Sequence, residues 1–160
     1  MNEAYFGLKN LPERSLKPRN SGLSMVMDKG LSIREVEDFI EVAASYTDIV
    51  KLGFGTGILT PRLDEKLKIY KDAGIPVYFG GTLFEAFLVR NQTDDFERLL
   101  EKTGVTHIEI SDGSLELPHD EKCELISKFS KNYTVLSEVG SKDADKIIPP
   151  YEWIEQMETE

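Results

Sequence analysis

The chain has 160 residues, 40% hydrophobic and 30% charged, and its 19 basic against 29 acidic side chains leave a net charge of −10. That composition suits one soluble globular domain with a substantial core, and without a gathered basic face it argues against a nucleic-acid backbone as partner. Cys123 is the only cysteine, which excludes an internal disulfide and any multi-cysteine metal site; with no secretory pattern at the N-terminus and no run near the roughly 18 apolar residues of a membrane span, a reducing cytoplasm is expected and a membrane is not.

Residues 1–21, broken by Pro12 and Pro18, read as an irregular leader packed on a single domain spanning 1–160. Gly22 to Asp28 is a short apolar strand, and Ser32 caps a helix from about Ile33 to Tyr46, with Glu35 at the capping-box position. A strand Asp48 to Leu52 leads into G-F-G-T-G, followed by a helix from Pro61 or Arg62 to Ala73. Pro76 to Phe79 is the third strand. It runs into Gly80-Gly81-Thr82, a helical piece near Leu83 to Val89 and a helix from Asp94 to Lys102 closed by Gly104. The fourth strand, Thr106 to Ser111, enters D-G-S and a helix from His119 to Ser130. The fifth, Thr134 to Val139, enters G-S-K, and a last helix spans Tyr151 to Met157. Strands alternating with helices imply right-handed crossovers and a parallel sheet of five strands. A glycine-bearing turn follows each strand, so one sheet edge gathers open backbone amides, the functional edge of doubly wound sheets and (β/α)8 barrels alike.

Charge inside these strands is the unusual feature. Glu109 sits between Ile108 and Ile110, Lys51 between Val50 and Leu52, and Glu138 inside the strand V-L-S-E-V, although an unpaired ion in a protein interior costs several kcal/mol. Side chains alternate along a strand, so Ile49 and Lys51 share a face, as do His107, Glu109 and Ser111, and Thr134, Leu136 and Glu138. If these faces point inward, Lys51, Glu109 and Glu138 meet. Two readings follow: a buried ion-pair network serving structure, or a site for an anionic ligand and a divalent metal, to which Asp28, Asp112 and Lys142 add charge at the same edge. Gly80-Gly81-Thr82 before a helix offers amides and a hydroxyl to a phosphate or carboxylate, though a turn with an N-cap explains it equally. Gly53-Phe54-Gly55-Thr56-Gly57 lacks the dinucleotide-loop spacing because Leu59 stands at the third position. His107 and His119 read as a polar core residue and an exposed helix-start residue rather than metal ligands.

The segments K-P-R, M-V-M-D-K-G, D-I-V-K-L-G-F-G-T, P-V-Y-F-G-G-T-L-F-E, I-E-I-S-D-G-S and V-L-S-E-V-G-S-K-D, in this order from Lys17 to Asp143, closely resemble the phosphosulfolactate synthase family. Phe54 stands where many members carry tryptophan in G-W-G-T, a mild exchange. The resemblance implies an α/β fold of the (β/α)8 TIM-barrel type. Family members run on through three more strands, so about five βα units of a truncated barrel are expected here. Two open edges then predict a fragment, a homo-oligomer or a rearranged open sheet.

The implied activity is that of a carbon–sulfur lyase of sulfolactate or coenzyme M biosynthesis, adding sulfite to C3 of phosphoenolpyruvate with Mg²⁺ to give (2R)-phospho-3-sulfolactate. Lys142 aligns with the family's proposed general acid, with Glu138 and Lys51 as further catalytic groups. Lys51, Gly81, Thr82 and Ser111 are expected to bind substrate, and Asp28, Glu109, Asp112 and Glu138 are candidate metal ligands or orienters. The competing class is an inactive truncated homologue or a stress-associated interaction protein of the same superfamily. A third reading, an open flavodoxin-like sheet binding a nucleotide, predicts that Lys51 and Glu138 share no cavity.

Overall fold

The computed structural model describes residues 9, 10, 12, 14–143, 145 and 147–160; the first part of the expected leader, residues 1–8, lies outside them. Five strands, β1 (Met25–Asp28), β2 (Ile49–Leu52), β3 (Val77–Phe79), β4 (His107–Ser111) and β5 (Thr134–Glu138), alternate with helices. These are α1 (Ile33–Ala43), α2 (Thr56–Leu59), α3 (Leu63–Asp72), α4 (Gly81–Leu88), α5 (Thr93–Thr103), α6 (His119–Phe129) and α7 (Pro150–Thr159). All observed strand pairings are parallel, which makes the chain an α/β protein.

The expected single sheet is divided. β1, β2 and β3 form one ladder and β4 and β5 another, with β3 packed beside β4 but not hydrogen-bonded into its ladder. β3 is only three residues long, and the gap beside it is bridged instead by side chains, Lys51 to Glu109 at 2.6 Å and the Gly81 amide to the same carboxylate at 2.7 Å.

Local signals place most boundaries. The α1 capping box is complete, with Ser32 Oγ accepting from the Glu35 amide and Glu35 Oε2 from the Ser32 amide. Gly104 ends α5 at φ 65°, a left-handed conformation that a residue with a Cβ adopts at a cost. Two differences from expectation matter. The G-F-G-T-G turn contains the short helix α2, and α4 begins at Gly81 rather than Leu83, so that its first turn lies over the end of β4.

The core forms where the apolar strand faces meet the helices. Val50, Leu52, Val77, Phe79, Ile108 and Ile110 pack beneath Val36, Tyr70, Phe84, Leu100 and Phe129. Phe84, Phe96 and Phe129 meet edge to face with centroids 5.6 to 6.3 Å apart. Each such ring contributes on the order of 2 kcal/mol from burial alone. With that face filled by hydrocarbon, the polar residues between are directed to the other face. The described part of the leader has no regular structure and is tied to the opposite end of the strands. Lys17 Nζ donates to the carbonyls of Ala44 and Thr47, and Arg19 pairs with Asp48 at 3.0 Å.

Candidate active site at the strand C-termini

Register decides which charges meet. Met27 lies opposite Lys51, and Lys51 opposite Tyr78, so these three share one face, while Asp28 lies opposite Leu52 and Phe79 on the face packed by helices. In β4 and β5 the same alternation groups Glu109 with Ser111 and Leu136 with Glu138.

Lys51 Nζ lies 2.6 Å from Glu109 Oε1, and both side chains are withdrawn from water. The same oxygen accepts the Gly81 amide at 2.7 Å. Burial and the neighbouring Glu109 carboxylate push the Tyr78 phenol well above its ordinary value, so it stays a neutral donor beside the pair. The Glu138 carboxyl is also raised, first by burial and then by the negative charge of Glu109. One oxygen of Glu138, Oε2, is buried and has no hydrogen-bond partner.

Lys142 completes the cluster from the G-S-K turn. Its amide donates to the Gly113 carbonyl at 2.8 Å, and its ammonium lies 3.3 Å from Thr82 Oγ1, 3.6 Å from Glu85 Oε1 and 3.9 Å from Glu138 Oε2. A Cβ at Gly113 would stand 3.3 Å from Lys142 Cε, so the lysine stem would have to give by a few tenths of an ångström. The crowding is tighter at Gly81: a Cβ there would lie 2.6 Å from Ser111 Cβ and 2.9 Å from Glu109 Oε1.

The expected set is therefore brought together in part. Lys51, Glu109, Glu138, Lys142, Thr82 and Ser111 line one region. Gly81 lies there too, but its amide is occupied by Glu109. Ser111 Oγ likewise donates to Glu85 Oε1 at 2.5 Å.

Asp28 is not at this site. It is buried on the helix side, where Lys66 Nζ at 3.0 Å and Tyr70 Oη at 3.1 Å bond one oxygen and the amides of Gly30 and Leu31 the other. With both oxygens taken, it has no place left for a metal. Asp112 turns to the helix side as well, pairing with Lys122 at 3.1 Å, while Lys122 also donates to the Glu138 carbonyl at 2.8 Å. The four carboxylates expected to hold a metal thus separate onto two faces, and among the described residues no group of three or more acidic, histidine or cysteine side chains is arranged to hold a metal ion. The donors that remain are Glu109 and Glu138, two neighbouring carboxylates of which Glu138 keeps one buried, unpartnered oxygen. That pair fits a divalent cation whose other ligands come from substrate and water, the usual arrangement for Mg²⁺.

Sequence reasoning passed over Glu85, Lys66, Lys122 and Tyr78. The two lysines look like ordinary helix-surface charges until their burial is seen. Glu85 carries a usable signal, a lone charge in the apolar run L-F-E-A-F-L.

No helix among the described residues is long and apolar enough to cross a membrane. A family model described as (2R)-phospho-3-sulfolactate synthase (ComA) matches residues 12–160. The chain is 43% identical over 135 residues to the phosphosulfolactate synthase of Bacillus subtilis (strain 168), an overlap covering 84% of this chain and 54% of the relative. It is 44% identical over 128 residues to that of Methanocaldococcus jannaschii, covering 78% and 51%, and 37% identical over 144 residues to that of Methanothermobacter thermautotrophicus, covering 87% and 56%. It spans about half the length of these curated relatives. A family match over residues 12–160, with relatives 37–44% identical over most of this chain, makes it a member of the phosphosulfolactate synthase family.

Proposed function

We propose that the cluster is the phosphoenolpyruvate and sulfite site of a phosphosulfolactate synthase-type lyase, and that the five strands are consecutive units of a (β/α)8 barrel whose polar face is its interior. The supporting observation is the convergence of Lys51 and Lys142 on Glu109 and Glu138 at the strand C-termini, the edge where barrel enzymes place their chemistry. A reducing cytoplasm is the setting this reading assigns, in keeping with a single free cysteine.

The reaction requires a bond from the sulfite sulfur lone pair to C3 of phosphoenolpyruvate. The C2–C3 π electrons move toward the carboxylate, giving an enolate-like dianion, and C2 then takes a proton to yield phosphosulfolactate. Glu109 and Glu138 are the residues that would hold Mg²⁺, which when bound would supply Lewis-acid stabilisation of that added charge. Lys51 stands within the same group of side chains, as a fixed cation for the substrate phosphate or carboxylate. Lys142 delivers the C2 proton. Its 42% exposure lets it recover the proton from solvent, while Glu138 and Glu85 provide counter-charge beside it. Thr82 Oγ1, 3.3 Å from Lys142 Nζ, steers the ammonium, and Ser111 supplies a hydroxyl at the floor of the site.

Incubating the chain with phosphoenolpyruvate, sulfite and Mg²⁺ and following ³¹P NMR tests this reading. A new phosphomonoester that requires all three components supports it. Ligand binding without turnover instead favours the second reading, a binding or interaction module of the family.

A further inference from the structure

We propose that Glu85 is a positioning residue for Lys142, holding its ammonium over the G-G-T turn; the functional meaning of this contact rests on the role given to Lys142 above. Glu85 is 4% exposed at the middle of α4, within a segment otherwise apolar. Its Oε1 accepts from Ser111 Oγ at 2.5 Å and from the Ser114 amide at 3.4 Å, which fixes the carboxylate to both ends of the β4 exit loop. Its Oε2 is buried without any hydrogen-bond partner.

A carboxylate so withdrawn from water needs a cation, and the choice is narrow. Lys51 is committed to Glu109, Lys66 to Asp28 and Lys122 to Asp112, whereas Lys142 Nζ lies 3.6 Å from Glu85 Oε1. An exposed lysine paired with an exposed carboxylate gains little, because both chains pay entropy and water screens them. Here the carboxylate is rigid and desolvated, so the mobile partner is drawn toward the fixed one. The Lys142 stem lies against Gly113, and its own amide is bonded to the Gly113 carbonyl, so only the ammonium end is left to be placed. Glu138, the other nearby carboxylate, is 38% exposed and 3.9 Å away. It is the weaker anchor.

The test is residue-resolved labelling of lysines by an amine-reactive reagent, read by mass spectrometry, which needs no turnover and so stands apart from the sulfite reaction. In Glu85→Gln, labelling of Lys142 is expected to rise about fivefold, the scale of losing one partly buried ion pair, while Lys51 serves as internal reference and stays unchanged. A general loosening raises both and overturns the assignment. So does an unchanged Lys142, or a larger rise in Glu138→Gln than in Glu85→Gln. Should Glu85→Gln not fold, the contact is read from its other side by urea denaturation: Lys142→Met lowers the midpoint and Lys142→Arg, which keeps the charge, does not. Equal midpoints for the two overturn the proposal.

Discussion

Lys51 of β2 and Glu109 of β4 meet at 2.6 Å across the intervening strand β3, and the Gly81 amide closes on the same carboxylate oxygen. This one contact joins the two ladders at the point where backbone hydrogen bonding between them fails. Breaking it from one side leaves a desolvated charge. Glu109→Gln or Lys51→Met should each cost about 3 kcal/mol in urea denaturation, the scale for removing one partner of a buried pair, while the double variant should cost less than the sum of the two.

Gly81→Ala tests the crowding at the same place. The added methyl would enter the space of the Ser111 side chain and the Glu109 carboxylate, both of which are held in place by hydrogen bonds to Glu85 and Lys51. A loss of about 1–3 kcal/mol is expected by thermal or chemical denaturation. Gly104→Ala, at a turn with open space around it, meets no such crowding and should show only the backbone cost of its φ of 65°.

Asp28 separates a structural charge from a site charge. Asp28→Asn strands Lys66 in the core and should destabilise the fold by about 3–5 kcal/mol. In calorimetric titration below the unfolding transition, its divalent-cation affinity should match that of the unaltered chain, whereas Glu138→Gln should weaken it at least tenfold. Equal weakening in both would return Asp28 to the metal site.

Two groups give pH dependences of definite sign. Burial holds the His107 imidazole below its ordinary value, so the folded state binds that proton less readily than the unfolded chain. The resulting stability is complete above the unfolded value of about 6.5 and is lost as pH falls through the depressed folded value. His107→Asn should flatten that part of the stability profile. Glu138, raised by burial and by Glu109, keeps its proton to higher pH than an ordinary carboxyl. Divalent-cation affinity should therefore rise with pH through that raised value, with protons released on binding and measurable as a buffer-dependent heat.

Much of this was legible in the strands and little of it in the helices. Period-two alternation alone placed Lys51 and Glu109 on polar faces, and the glycine turns located the edge they share. The same alternation would have removed Asp28, but only once Met25 is paired with Ile49, and that register is set by neighbouring strands rather than by M-V-M-D itself. Lys66 and Lys122 sit at helical positions that look solvated, and their burial depends on where Asp28 and Asp112 arrive from other elements. The division of the sheet was equally hidden, since β3 looks like any short strand until its partner is replaced by side-chain bridges. Glu85 was the avoidable omission. A lone carboxylate in an apolar helix poses the same desolvation problem as Glu109 in its strand.

Two-dimensional ¹H–¹⁵N NMR of the chain titrated with phosphoenolpyruvate in the presence of Mg²⁺ addresses the convergence of these side chains most directly, because it reports weak binding residue by residue. Shifts are expected at Gly81 and Thr82, across Ser111 to Ser114 and at Gly140 to Lys142, and they should vanish in Lys51→Met. No saturable shift at those amides, or a response confined to the cleft between α1 and the start of α3, would contradict a shared anionic site at the strand C-termini.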